Sequence, residues 1–168
     1  GQCTISPRTE NGTKSVQGFN WSVAGLSRAS AQQVTNYIGK PAYGGTPSDE
    51  SVIASIRDMK SRNIGVVFYP FMMMDIANGN ALQDPWSNNV FQPAYPWRGR
   101  ITCSPAPGQS ATVDGTAAAI SQIANFFGST NPSANEWSYR RCILHYANLC
   151  TQAGGVDAFI IGSELIGL

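Results

Sequence analysis

The length, composition and charge of the chain exclude several classes of protein. With 168 residues, of which 42% are hydrophobic and only 12% charged, it can bury one substantial core and is neither a disordered tail nor two ordinary domains. Eleven basic against ten acidic side chains give a net charge of +1. Nucleic acid is not expected as a partner, because no basic stripe is available to neutralise its phosphates. The longest apolar run, residues 66–74, is far short of the about 20 residues that span a bilayer, so no membrane span is expected.

The first half of the chain predicts two helices and a strand. One helix is expected at residues 28–38, where glycine and proline follow as stop signals. A second is expected at residues 49–62, with Thr46 at the N-cap, Pro47 in the first turn and apolar residues at helical spacing after them. Residues 66–71 are almost continuously apolar, which predicts a strand of a parallel sheet that is buried on both faces.

Residues 75–112 form the longest irregular stretch, and it is too long for a simple connector. The segment is therefore interpreted as a functional or docking insertion. It places Trp86, Tyr95 and Trp97 among several prolines. Aromatic side chains in a proline-stiffened loop can stack on sugars, or they can anchor the loop to its own domain. These three residues are candidates for substrate binding, and the anchoring alternative stays open.

The second half predicts two more helices and a closing strand. An alanine-rich helix is expected at residues 115–127. Ser133 and Glu136 have the spacing of a capping box, which predicts a helix over residues 134–153. Residues 158–162 again form a continuous apolar strand. Helix, short turn and apolar strand, repeated, predict an α/β fold in which covering helices connect parallel strands.

The cysteines and the single histidine give no sign of a metal site. Cys3, Cys103, Cys142 and Cys150 lack C-x-x-C spacing, and His145 is the one histidine of the sequence, so neither a metal nor another cofactor is expected. Cys142 and Cys150 lie eight positions apart on one predicted helix, which is about 12 Å and too far for a disulfide. Reduced, buried thiols are expected, and His145, in the middle of the helix, is expected to be a packing residue.

The best candidate for chemistry is Glu164, just beyond the last predicted strand. Barrels and open α/β enzymes place their catalytic groups at this end of a parallel strand. A carboxyl flanked by apolar residues suits a general acid; the alternatives are a helix cap or a pair with an arginine. Asp75 follows the other strand at the equivalent place, where it would bind substrate hydroxyls or fix the loop. Glycoside hydrolysis needs two carboxyl groups, and of the two residues only Glu164 is a strong candidate.

Four segments of the sequence resemble one known family. They are residues 41–49 (PAYGGTPSD), residues 68–71 with 74–76 (FYPF and MDI), residues 95–102 (YPWRGRIT) and residues 154–165 (GGVDAFIIGSEL). Together they are similar to the TIM-barrel-like domain of large tail proteins found in gene transfer agents and related phages of alphaproteobacteria. This family is often labelled glycoside hydrolase/phage tail.

The resemblance implies a partial TIM (β/α) barrel, truncated at both ends, with residues 1–168 as a single partial domain from the early-to-middle part of the barrel. It implies that Glu164 matches the acid/base glutamate that follows a middle strand in many retaining glycosidases. The nucleophile would come from a later strand, so the 168 residues alone are expected to be inactive.

The resemblance implies two functional hypotheses. In the first, the protein is a tail component with a glycoside-hydrolase-like barrel that acts on cell-surface glycan or peptidoglycan during DNA delivery. In the second, the barrel is a non-catalytic structural or sugar-binding hub of the tail. Both place the protein in the tail of a virion-like particle made in the bacterial cytoplasm. Its expected partners are other tail proteins, the rest of its own polypeptide and a glycan.

Overall fold

The computed structural model of the chain describes the backbone of six short strands within residues 8–41, then residues 47, 49–74, 76–132, 136 and 138–168. The six strands are β1 (Arg8–Thr9), β2 (Ser22–Val23), β3 (Leu26–Ser27), β4 (Gln32–Gln33), β5 (Asn36–Tyr37) and β6 (Lys40–Pro41). β1 pairs with β4 in parallel, and β2–β3 and β5–β6 are antiparallel pairs. The helix predicted at residues 28–38 is wrong where β4 and β5 lie. The β-branched residues Val34 and Thr35 between them disfavour a helix, and strand pairing then decides the conformation.

Helix α1 spans Asp49–Ser61 and confirms the prediction for residues 49–62. Asp49 and Glu50 lie in its first turn and Lys60 in its last, so the charges complement the helix dipole. The helix ends in a Schellman motif: Asn63 has φ 57 and donates to Lys60 O at 3.0 Å, while Ile64 donates to Met59 O at 3.0 Å. The predicted N-cap, Thr46, lies outside the described residues, and Pro47, predicted in the first turn, precedes the helix.

Two parallel strands follow helices in the chain, as predicted. β7 (Val67–Phe68) pairs in parallel with β8 (Ala158–Phe159). Backbone hydrogen bonds extend the pairing on both sides, from Asp157 N to Val66 O at 2.9 Å and from Ile160 N to Phe68 O at 2.9 Å. The strands are shorter than the predicted ranges 66–71 and 158–162, but their type and direction are confirmed.

The core lies between this strand pair and two helices. α3 (Tyr139–Gln152) packs against α1, and both cover the same face of β7 and β8. The buried cluster comprises Val52, Ile56, Val66, Leu149, Cys150 and Ala153. Val67 points to the other face and is 62% exposed. The prediction of burial on both faces is thus wrong for this strand within the described residues, because helices cover one side of the pair there.

Helix α2 spans Ala117–Phe127, and its ends follow local capping rules. It begins at Ala117 rather than Gly115, because Gly115 has φ 70, outside the right-handed helical region. Thr116 is the N-cap and accepts a hydrogen bond from Ala119 N at 3.4 Å. Gly128 ends the helix with φ 76, as the sequence predicts.

Helix α3 begins at Tyr139, so its predicted start at residue 134 is wrong. Ser138 is the N-cap, and its hydroxyl accepts from Arg141 N at 3.3 Å. Glu136 is outside the helix; its carboxylate accepts from Ser129 N at 2.9 Å and from the Ser138 hydroxyl at 2.7 Å. Ser133, the other half of the predicted capping box, lies outside the described residues. Ser138, two residues after Glu136, therefore caps the helix.

His145 joins the two core helices, in agreement with its predicted packing role. Its Nε2 lies 2.9 Å from Oδ1 of Asp49, and both side chains are mostly buried. Its ring also meets Tyr146 edge-on at 5.3 Å between centroids. The pair fastens the middle of α3 to the first turn of α1.

Replacing His145 by alanine is expected to lower the free energy of unfolding by about 1–2 kcal/mol, because a mostly buried hydrogen bond and its packing are lost. The loss should shrink in an Asp49→Ala background, where the partner is already absent. Chemical denaturation of the four proteins of this cycle measures it. Asn148→Ala, on an exposed position of the same helix, is the matched control and should change stability by less than about 0.5 kcal/mol. Equal losses with and without Asp49 would show that the pair contributes nothing.

Candidate functional site

Polar side chains meet where β7 and β8 end. Tyr69 follows β7 and Ser163 follows β8, and their hydroxyl oxygens are 2.6 Å apart. Parallel strands end at the same edge of a sheet, so residues 94 positions apart in sequence come together here. This edge is the place where α/β proteins bind their ligands.

Glu164 lies at this edge in an ion pair with Arg98. The pair joins Nη2 of Arg98 to Oε2 of Glu164, and the Arg98 side chain is 9% exposed against 48% for Glu164. Arg98 also donates from Nε to Ser163 O at 3.3 Å and from Nη2 to Ser163 Oγ at 3.4 Å. Of the alternatives that the sequence left open, the structure therefore has Glu164 paired with an arginine.

The backbone of Glu164 is in the left-handed region, with φ 57. For a residue with a side chain this conformation costs about 1–2 kcal/mol. Such strain persists only where surrounding contacts impose it, and it concentrates at functional sites. The turn directs the carboxylate of Glu164 to Arg98.

Arg98 also contacts the aromatic ring of Phe71. The Arg98 guanidinium lies over the ring of Phe71, 3.9 Å from its centroid, at a distance typical of a cation–π contact. Phe71 is itself exposed and meets Tyr69 edge-on at 5.4 Å. Tyr69, Phe71, Arg98, Ser163 and Glu164 are called the strand-end cluster below.

The predicted aromatic candidates occupy different places. Trp97 is exposed, directly precedes Arg98, and its ring lies over Gly99, where a Cβ atom would collide with it. Trp86 contacts the loop itself: its indole N–H donates to Arg100 O at 2.7 Å and the residue is half-buried, which fits the anchoring alternative, and its substrate-binding role stays a prediction. Tyr95 is half-buried, with its backbone N–H donating to Ile76 O at 3.2 Å. Asp75 lies outside the described residues, so its predicted role stays a prediction.

The irregular segment holds a buried carboxylate that the sequence analysis did not single out. Asp84 accepts two hydrogen bonds from Arg100 Nη2, at 3.0 and 3.2 Å, one from Trp86 N at 3.1 Å and one from the Ser87 hydroxyl at 2.9 Å. Burial acts to raise the pKa of Asp84, but these hydrogen bonds and the charge of Arg100 hold the pKa below its usual range. The Asp-Pro-Trp-Ser run is a turn signal that could have found this carboxylate.

Arg98, Tyr69, Phe71 and Ser163 are the members of the strand-end cluster that sequence reasoning did not assign. Tyr69 and Phe71 lie within the predicted strand 66–71, just after β7, and Ser163 directly precedes Glu164. Each lies within or beside a segment that carries the family resemblance. Their place in these segments was the signal available in the sequence, but it does not show which segments contact one another.

Within the described ranges, no group of three or more His, Cys, Asp or Glu side chains is arranged to hold a metal ion. The same part of the chain contains no helix with the length and hydropathy needed to cross a bilayer. Cys103, Cys142 and Cys150 are free thiols, of which the first and last are buried. Cys142 is partly buried, and its removal from water raises the pKa of its thiol to about 11, so it is a poor nucleophile at neutral pH.

Helices followed by parallel strands, with a polar cluster at the strand ends, define an α/β protein of β/α units. In a comparison with protein families, residues 137–168 match the family described as the GTA TIM-barrel-like domain, GTA being gene transfer agent. The match covers α3, β8 and Glu164, so the resemblance stated from the sequence is confirmed over this segment. No curated protein is significantly similar to the chain.

Proposed function

We propose that the chain is part of a tail component of a gene transfer agent particle, and that its strand-end cluster contacts glycan of the recipient cell envelope, such as peptidoglycan. The family match to a gene transfer agent domain supports the particle context. Residues 1–168 belong in this proposal to one incomplete TIM-barrel domain, with the other tail proteins and the rest of the polypeptide as partners.

The observation that carries the glycan assignment is the surroundings of Glu164. Its carboxylate is 48% exposed at the edge where parallel strands end. The exposed ring of Phe71 lies against the arginine that holds it, and exposed Trp97 directly precedes that arginine in the chain. A carboxylate accepts hydrogen bonds from sugar hydroxyls, and an aromatic ring offers an apolar face to a sugar ring. A few polar groups beside aromatic surface are the composition of a small-molecule site.

Hydrolysis asks more of the cluster than binding does. Glycosidases flank the scissile bond with two carboxyl groups, about 5 Å apart for retention and further apart for inversion. Tyr69, Phe71, Arg98 and Ser163, the residues grouped with Glu164, carry no carboxyl group. One oxygen of the Glu164 carboxylate is also engaged by Arg98, and a carboxylate in an ion pair accepts hydrogen bonds rather than donating them. Among the described residues, the cluster therefore supports glycan binding. Cleavage requires a second carboxylate, which Asp75, outside the described residues, or another part of the barrel would have to supply.

A structural hub is the second candidate function, and the Arg98–Glu164 pair is the observation that favours it. The pair fastens the long irregular segment to the end of β8, across 66 positions of sequence. In a purely structural module, this contact between the irregular segment and the end of β8 would be the only role of Glu164. The two candidates differ in whether a change at Glu164 affects glycan binding.

Replacing Glu164 by glutamine is expected to weaken binding to purified peptidoglycan or host surface polysaccharide by about tenfold, because a charged acceptor becomes a neutral one. Co-sedimentation of the complete protein with each glycan, well below its unfolding temperature, measures the change. Released reducing ends, counted in the same samples, show whether cleavage occurs. Glu50→Gln, at an exposed position on α1, is the matched control and should bind as the wild type does.

Three outcomes separate the candidates. Weaker glycan binding by Glu164→Gln, with Glu50→Gln binding as the wild type does, supports the glycan site. Wild-type protein that binds neither glycan contradicts the glycan site. If, in that case, Glu164→Gln lowers the melting temperature, the result supports the hub. Reducing ends released by the wild type and lost in the variant would extend the proposal to hydrolysis.

A further inference from the structure

Arg98 connects three segments that are remote in sequence. Its guanidinium stacks on Phe71, which follows β7, at 3.9 Å. It donates to the carbonyl and hydroxyl oxygens of Ser163, which follows β8, at 3.3 and 3.4 Å. It also pairs with Glu164 while lying in the 3₁₀ helix Arg98–Arg100 of the irregular segment. A side chain this buried is held in one orientation by its contacts.

These contacts need an arginine rather than any cation. The planar guanidinium presents its donors in a fixed fork and its face to an aromatic ring, whereas a lysine ammonium is a point charge on a flexible stem. At this site the Nε and Nη2 atoms serve different acceptors while the plane covers Phe71. A lysine at the same position could reach one of these partners at a time.

We propose that Arg98 is the positioning residue of the strand-end cluster: it holds the Glu164 carboxylate through Oε2, so that Oε1 is presented to a ligand hydroxyl. The inference rests on the proposed glycan site, because it concerns the same carboxylate. In this role Glu164 is a hydrogen-bond acceptor and not a proton donor. The ligand class that fits such an acceptor is a sugar that offers a hydroxyl beside an apolar ring face.

A double-mutant cycle on glycan affinity tests whether Arg98 acts through Glu164. In the complete protein, Arg98→Met is expected to weaken peptidoglycan binding about tenfold, and Arg98→Lys to recover only part of that loss. In a Glu164→Gln background the same Arg98→Met change should alter affinity less than about twofold, because the carboxylate it positions is gone. Arg62→Met, at an exposed arginine with its own aspartate partner on α1, is the control and should leave affinity unchanged. Equal losses in both backgrounds would mean that Arg98 only supports the fold, and would overturn the inference.

A second measurement is independent of any glycan. In NMR spectra of the complete protein at low temperature, the Nη2–H protons of Arg98, which donate to Glu164, should exchange with water at least about tenfold more slowly than those of exposed Arg62, and Glu164→Gln should remove much of this protection. Arg98 exchanging as fast as Arg62 in the wild type, or unaffected by Glu164→Gln, would overturn the positioning role. Protection at Arg98 in a protein that binds no glycan would instead uphold the positioning and refute the proposed function.

Discussion

Replacing Asp84 by alanine is expected to lower the free energy of unfolding by about 2–3 kcal/mol. The change removes the buried partner of a half-buried ion pair and leaves Trp86 N, the Ser87 hydroxyl and the Arg100 guanidinium without their acceptor. Loss of one partner of a fully buried pair costs about 3–5 kcal/mol. The expected value is smaller because Arg100 is 37% exposed and can be hydrated once it is released. Thermal and chemical unfolding measure the change, and limited proteolysis should find new cleavage sites near residue 84.

The same carboxylate predicts how stability depends on pH. Because the pKa of Asp84 is lowered in the folded protein, its contribution is complete above the unfolded value of about 3.9 and is lost as pH falls through the folded value. The stability difference between wild type and Asp84→Asn should therefore be constant above about pH 5 and shrink below about pH 4. Asp114→Asn, at an exposed aspartate, is the control and should follow the wild type. A difference between wild type and Asp84→Asn that grows towards acid pH would contradict the ion pair.

Replacing Ile56 by alanine is expected to cost about 2–5 kcal/mol of stability, the range observed when a large aliphatic side chain is removed from a packed core. Ile56 is 1% exposed and lies in the cluster that joins α1, α3 and β7. The loss combines the transfer free energy of the missing atoms with the cavity that they leave. Denaturant unfolding, with the slope compared between variants, measures it.

The exposed isoleucine of α2 offers a matched control. Ile120 is 71% exposed, and its replacement by alanine should change stability by less than about 0.5 kcal/mol, since no core packing is lost and alanine favours a helix. Equal effects at Ile56 and Ile120 would show that α1 does not pack in the core as described.

Local features of this protein could be predicted from the sequence alone. Charges at both ends and apolar spacing defined α1 within one residue of its observed end. Continuous apolar runs predicted β7 and β8 and their parallel direction. Glu164 was predicted at the strand ends because it follows the second of these runs. These features depend on neighbours within a few positions, and such neighbours are what a sequence pattern contains.

Other features depended on tertiary contacts. Capping by Ser138 moved the start of α3, and helices on one side of the strand pair left Val67 exposed. The largest contribution of the tertiary structure concerns Glu164, for which the sequence left open a general acid, a helix cap or a pair with an arginine. Arg98, 66 positions away, is its partner, and Phe71 and Ser163 hold that arginine in place. The sequence contains each of these residues but not the distances between them. Those distances are set by the packing of the helices and the pairing of the strands, which bring remote segments to one edge of the sheet.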